Sequence, residues 1–418
     1  MAIVGALSTG RSGLINSGAA LGVIGNNIAN VSTIGFKGSR TEFADLVSAD
    51  AGGEVGKIGL GARIGAVRTL FSQGPVESTG RSLDAAIDGQ GFFVLREGNA
   101  QVFTRAGNFK LQQDGSITNT TGLEVQGFPV TPDGTISGAL ADITLAGISS
   151  QAKATGTATL KGNLQADAAL ANGGTFDPTT RQSAFDSSNY TTSLQVYDSI
   201  GQQHDVTVFF TKTATAGTWT VNLGVDAAET GGTAGDIQII GGATLAFDSG
   251  GHVASGTPLT ASVDFTGAAT GQAIALDLSE MGQFANPSGI SFVIQDGFGA
   301  GGLTSLTVDS KGILSATFDN GQTRPLYQLG IARFAAEEGL LPAGNSIFRA
   351  SINSGPPAVS TAQTQGNGSI VGSALEQSNV QIAQEFIDLI TQQRSFQANA
   401  RIITASDTLL GDLINIIR

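Results

Sequence analysis

Two stretches of this sequence hold residue types that could carry chemistry. Asp198-Ser199-Ile-Gly-Gln-Gln-His204-Asp205 gathers a carboxylate, a hydroxyl and an imidazole within eight positions, the parts of a hydrolytic triad. A triad works only if the base sits between nucleophile and acid, so its members normally arrive from separate elements. Here the spacing spells strand, glycine turn, strand, which makes His204 a polar residue at a hairpin end. Gly297-Phe-Gly299-Ala-Gly-Gly302 satisfies the Gly-x-Gly-x-x-Gly pattern after a strand-like run. The next residues, Leu303-Thr-Ser-Leu-Thr-Val308, are again strand-like, whereas a dinucleotide site requires a helix whose N-terminus faces the pyrophosphate. A glycine-rich turn is the better reading.

The remaining inventory is thin. There is no Cys, which removes disulfides, thiolate metal sites and Cys nucleophiles, and the only other His is His252. The carboxylates lack the alternating spacing and fixed Gly of a calcium loop. No catalytic, cofactor or metal constellation forms, and the sequence predicts a protein that is not an enzyme and holds no cofactor.

The composition of the 418 residues points to surfaces and turns instead. Charged residues make up 13%, against roughly 25% in an average soluble chain, and Gly, at 59 residues, is about twice its usual share. Such a sequence favours β-structure with many tight turns. The net charge of −13 argues against a nucleic-acid partner. Between positions 151 and 284, twelve acidic residues stand against four basic ones, giving −8. Like charge keeps a surface solvated, so this region is expected to be outermost. The first residues lack a basic n-region and no apolar run approaches the ~18 residues of a membrane span, so no cleaved signal peptide and no membrane partner is expected.

The elements that would position any site divide into helical ends and a stranded interior. In 373–418 there is no Pro and the single Gly is Gly411. Ser373-Ala-Leu-Glu376 has the spacing of a capping box, which places a helix start there. Phe386, Leu389, Phe396, Ala400, Ile403, Leu410, Ile414 and Ile417 recur at three- and four-residue steps, a narrow seam of the coiled-coil kind. At the other end Leu7, Leu14, Leu21 and Ile28 recur every seven residues. That first helix carries six glycines, each costing about 1 kcal/mol against Ala. Both stripes are therefore read as made for packing in an assembly; the alternative is a helical hairpin inside one molecule.

Between the ends, Asp88-Gly89, Asp114-Gly115, Asp133-Gly134, Asp296-Gly297 and Asn320-Gly321 are hairpin-type turn signals. The predicted fold class is mixed: α-helical coiled-coil termini flanking two nested all-β domains. The expected boundaries are an N-terminal helix over 1–34, an extended connector over 35–80, an inner β-domain in two parts over 81–150 and 285–353, an inserted outer β-domain over 151–284, a linker over 354–372 and a C-terminal helix over 373–418.

Several motifs resemble one family. Leu21-Gly-Val-Ile-Gly-Asn26-Asn27-Ile-Ala-Asn30, followed by Thr33-Ile-Gly35-Phe36-Lys37, resembles the signature that ends the first helix of flagellar rod and hook axial proteins. Leu83-Asp-Ala-Ala-Ile-Asp-Gly-Gln-Gly-Phe-Phe93 is similar to their inner β-domain. Leu375-Glu-Gln-Ser-Asn-Val380 and Gln392-Gln393-Arg394-Ser-Phe-Gln-Ala-Asn399-Ala400 are similar to their C-terminal signature. The large middle region, with Val196-Tyr-Asp-Ser-Ile-Gly-Gln-Gln-His-Asp205, selects the hook type. The glycine-rich connector over 49–61 is longer than expected for a hook, which keeps the distal-rod type open. A secreted β-rich adhesin or binding module would explain the Thr/Gly/Asn surface but not the two stripes.

The resemblance implies a homo-polymer, a helical tube with the terminal helices innermost and the acidic region outside. It implies partners in the distal rod, the hook cap, the hook-filament junction proteins and the flagellar type III export apparatus. It also implies an extracellular place in the flagellum, reached without a cleaved signal peptide. The Phe-x-x-x-apolar export pattern is absent from the first residues, where Ile3 and Leu7 hold that spacing, and Phe43 to Val47 fits it.

Overall fold

The computed structural model describes residues 2–47 and 59–416. Most of the connector over 49–61 and Ile417 lie outside the described residues, as do the side chains of Ile3, Val47 and Ile414. The chain is β-rich with a helix at each terminus, α1 over Ala2–Ala29 and α3 over Ile382–Ile416, and a short helix α2 over Arg181–Asp186. It divides into two compact units, one made of Met1–Gly147, Ser305–Thr317 and Thr323–Arg418, the other of Ile148–Thr304 and Phe318–Gln322.

In the first unit, α1 packs on α3 and on an antiparallel pair, β1 (Ser39–Val47) and β2 (Gly59–Thr69), that occupies part of the expected connector. Strand β3 (Val76–Ser78) comes next, then β4 (Ala85–Asp88), β5 (Phe92–Glu97) and β6 (Ala100–Thr104). The main sheet runs through Ile313–Phe318, Thr323–Leu329, Glu124–Pro129, β5, β6, Ile347–Arg349 and Leu341–Gly344. Its core is aromatic: Phe92 meets Phe71, Phe334 and Phe348 edge-on at 5.6 to 5.9 Å. Such edge contacts add to the area term because each ring edge faces a π-cloud.

In the second unit two five-stranded sheets enclose one core that includes Leu160, Phe210, Trp219, Leu245 and Leu276. One sheet is a simple antiparallel succession from Tyr190–Tyr197 to Val253–Ser255. The other is centred on Thr157–Gln165, which pairs with Gly289–Gln295 on one side and with Gln272–Asp277 and Met281–Phe284 on the other. The strand over 289–295 therefore belongs here and not to the inner domain expected from residue 285 onward. Its pairing partner lies far back in the sequence, where local turn signals carry no information.

The turn signals divide in the same way. Asn320-Gly321 does join two antiparallel strands, with Gly321 at φ +76°, the left-handed region that suits Gly. Asp88-Gly89 and Asp296-Gly297 do not make hairpins, since β4 pairs with Ser369–Gly372 and the Asp296 carboxylate caps the Gly156 and Thr157 amides. The expected linker over 354–372 thus supplies two strands, Ala358–Ser360 and Ser369–Gly372. The C-terminal helix starts at Ile382, not at the Ser373 capping box. Ser373 sits at φ +55° and Ala374–Glu376 is a strand on β3.

Candidate assembly site

The first unit draws both chain termini together, and the residues that do so are mostly polar. Glu376 is fully buried between two cations. Its carboxylate accepts from Lys37 Nζ at 2.6 Å, Arg105 Nη1 at 3.2 Å and the Gly74 amide at 2.9 Å. Lys37 also donates to the Ser72 carbonyl at 2.7 Å, and the Arg105 guanidinium lies over the Phe92 ring at 5.3 Å. Burial holds the Lys37 ammonium below the ordinary lysine value of 10.5, with Glu376 pulling the other way. Each charge here has a partner, the condition under which buried ions are tolerated. Gly35 makes the junction possible: at φ +65° it donates its amide to the Glu376 carbonyl at 2.8 Å, and a Cβ there would lie 2.5 Å from the Ala106 nitrogen.

Two asparagines fasten the helices to this junction. The Asn27 amide donates to the Ser39 carbonyl at 2.8 Å and accepts the Ser39 amide at 2.9 Å, reading the backbone as a strand neighbour would. It also donates to Glu385 Oε1 at 3.0 Å, which ties α1 to the first turn of α3. Asn379 does the same before α3, accepting the Gly38 amide at 2.8 Å and donating to the Leu70 carbonyl at 2.7 Å. Asn30 closes α1, donating to the Asn26 carbonyl and accepting from Thr33.

The helices run antiparallel within one chain. Asn27 meets Glu385, Ser17 meets Ser395, and Gly10 lies against Asn399, Ile402 and Ile403. A Cβ on Gly13 would sit 2.5 Å from Asn399 Nδ2. The buried side of α1 is thus Gly10, Asn16, Ser17, Ala20, Ile24 and Asn27, small or polar except for Ile24. Leu7 is exposed, and Leu14, Leu21 and Ile28 are half-buried. On α3, Leu389, Ile403, Leu410 and Asn399 are half-buried, while Phe386, Phe396, Gln393 and Arg394 are exposed. Asn26 is exposed, Asn30 and Phe36 are half-buried, and Gly35 and Lys37 are buried.

A groove of about 320 Å³ opens where α1, β1 and α3 meet, lined by the apolar Val23, Ile24, Phe43 and Leu70, the carboxylates Glu385 and Asp388, and Arg40. Burial pushes the Glu385 carboxyl above its ordinary 4.5; its bond from Asn27 opposes that and nearby Asp388 adds to it.

The triad-like stretch in the second unit does bring His204 to Asp198, at 3.2 Å, but its other ring nitrogen faces Glu229 at 2.9 Å and the ring stacks on Phe265. The Ser199 hydroxyl accepts instead from the Ala269 amide. No nucleophile meets the base. Among the described residues no group of His, Asp and Glu could hold a metal ion, and no helix is long and apolar enough to cross a membrane.

Sequence reasoning placed Glu376 in a helix cap and, with Asn379 and Arg105, in family-like stretches, but gave none of them a role in joining the termini, and it passed over Ser17. A signal for Glu376 and its partner Lys37 is present: no charged residue lies between Arg11 and Lys37, nor between Arg349 and Glu385 apart from Glu376. A lone charge in a long neutral tract is a candidate for a buried pair.

Four family descriptions match this chain in succession. They are the flagella basal body rod protein over 7–37, the flagellar hook protein FlgE/F/G D1 domain over 86–157, the flagellar basal body protein FlaE D2 domain over 159–298 and the flagellar basal body rod FlgEFG protein C-terminal region over 371–416. The flagellar hook protein FlgE of Treponema pallidum is 34% identical, covering 99% of this chain and 99% of its own length. That of Salmonella typhimurium is 33% identical, covering 97% and 98%. A solved structure of the Helicobacter pylori flagellar hook protein FlgE2 aligns at a TM-score of 0.49 and 16% identity, covering 72% of this chain and 100% of that one. With termini drawn into one polar junction, no catalytic arrangement among the described residues, and identity to hook proteins along nearly its whole length, this chain belongs to the flagellar hook protein family and is a structural subunit.

Proposed function

We infer that copies of this chain polymerise through their terminal helices into the tube of the hook, a flexible joint that transmits torque from rod to filament and leaves a channel for exported subunits. The observation that carries this reading is the exposed apolar surface of α3. Ile382, Phe386, Ile387, Ile390, Phe396, Ile402 and Leu409 are each 41 to 58% exposed on one helix. Scattered exposed apolar residues are ordinary, but seven large ones on a single helix mark a surface for association. Gly18, Gly22 and Gly25 add to it, since a Cβ at any of them would meet nothing within 4 Å inside the molecule. Each weakens α1 as an isolated helix, which is understandable if a neighbouring backbone comes close.

In this reading the terminal helices form coiled-coil contacts between copies, with α3 nearest the channel, and the two β units are nested, the acidic one outermost. The distal rod, the hook cap, the junction proteins and the type III export apparatus are its further partners, and the assembled protein stands outside the cell. Electron microscopy of the concentrated protein tests the reading. Ordered tubes are expected from the natural chain and none from Ile390→Asp, which puts an unpaired charge on that surface at a cost of several kcal/mol on association. Persistent monomers of the natural chain would overturn it.

A further inference from the structure

The C-terminal helix carries charges that form no ion pair with another group among the described residues. Glu385 and Asp388 line the groove between α1, β1 and α3; Glu385 bonds to Asn27 and Asp388 to Gln384, and neither forms an ion pair among the described residues. Farther along α3, Arg394 is exposed and makes no ion pair or side-chain hydrogen bond among the described residues. Asp388 and Arg394 are six positions apart, about 9 Å of helix rise, and side chains meet along a helix only at three or four positions apart. These opposite charges therefore cannot neutralise each other within one α3.

Their surroundings match. Phe386, Ile390, Arg394, Ala398 and Ile402 recur every four residues, so the guanidinium stands in a line of exposed, mostly large apolar side chains. The groove offers the complement, two carboxylates beside the apolar side chains of Val23, Ile24, Phe43 and Leu70, while Arg40, the cation of its lining, is taken up by Glu42 at 3.1 Å. A guanidinium entering it would meet a carboxylate whose burial already disfavours the unpaired charge.

We propose that this groove receives Arg394 of a second copy, so that the pair Asp388 and Arg394 sets the axial offset between neighbouring subunits. The proposal rests on the reading that copies associate through α3. A parallel neighbour shifted by six residues brings the two charges to one level, an offset of about 9 Å. Apolar contact along the line would tolerate several offsets, and the charge pair selects one, because at zero offset like charges face each other and at the rest each charge stands unpaired against apolar side chains.

Charge exchange tests this. Asp388→Arg and Arg394→Asp, each alone, are expected to raise the critical concentration for tubes about tenfold or more, with unchanged circular dichroism and melting. An equimolar mixture of the two variants, and the single chain carrying both changes, are expected to assemble near the natural concentration. Natural assembly by either single variant, or no recovery in the mixture and the double variant, overturns the proposal. Recovery of Asp388→Arg by mixing with Arg11→Asp instead would give the groove to α1 of the neighbour and also overturn it. Ile390→Asp separates the levels: tubes lost there but kept in both charge variants leave the association reading standing and remove only the groove.

Discussion

A single carboxylate holds the two ends of this chain at one point. Glu376 faces Lys37 and Arg105 with none of the three exposed to more than a few per cent, so removing one partner leaves an uncompensated charge in the interior. Glu376→Gln is expected to destabilise the first unit by about 3 to 5 kcal/mol, read from urea unfolding, while replacing Lys37 and Glu376 together by Met and Leu should cost less. A loss near zero in the single variant would mean that water reaches the junction. The same site sets a pH dependence. Lys37 faces Glu376, Arg105 and Glu337, and burial keeps it below 10.5. In the window between that lowered value and 10.5 the unfolded chain binds the proton that the folded chain has released, so stability rises with pH. The natural chain should therefore gain stability relative to Lys37→Met as pH climbs toward 10.5, and a gain toward lower pH would contradict the sign.

At the scale of elements, α1 and α3 each have two different sides. One side of α1 is Gly10, Gly13, Ser17 and Asn27 against α3, and another carries Gly18, Gly22 and Gly25 over open space. Substitutions should separate the two. Gly13→Leu drives a side chain into Asn399 and should open the helix pair in the monomer, seen as lost amide protection in both termini. Gly22→Ala should instead strengthen α1 by about 1 kcal/mol in the monomer, because nothing crowds the new methyl. If neighbours pack closely there, the same change should slow or weaken tube growth. Stronger protection in the monomer with unimpaired tubes would place the subunit contact elsewhere. Helices of this composition owe their order to tertiary contact, so exchange in the monomer should be faster at both termini than in the β units.

For the whole molecule, the two units have separate cores, which predicts what can be removed. Deleting 148–304 and closing the gap should leave a first unit that folds and still assembles, since both termini and the junction around Glu376 lie in that unit. Deleting 151–284, the boundaries suggested by charge and composition, should fail. It keeps Gly289–Gln295, with Phe292, Val293 and Ile294 half-exposed already, and removes the strand it pairs with. An unpaired apolar strand is an aggregation site, so light scattering of the two deletions distinguishes them. Equal solubility would mean that the strand over 289–295 does not depend on 157–165.

Features that rest on short-range preference were legible in the residues alone. Absence of Pro allowed the terminal helices, Gly321 closed the turn that its φ requires, and the Asn-Asn and Gly-Phe-Lys signatures announced the family because they sit contiguously at the end of α1. Long-range contact decided every question in which distant residues compete for the same group. Ser373 to Glu376 has the spacing of a helix cap, yet the Glu376 carboxylate goes to Lys37, 339 positions away, and the segment becomes a strand. The heptad leucines marked α1 as a helix with a side to bury, but the side against α3 is Gly, Ser and Asn, because α3 presents Ser395, Asn399 and Glu385 there and two backbones can approach only where side chains are small. Periodicity reports that a face exists; the partner's surface decides which face meets it and which is left for a neighbouring molecule.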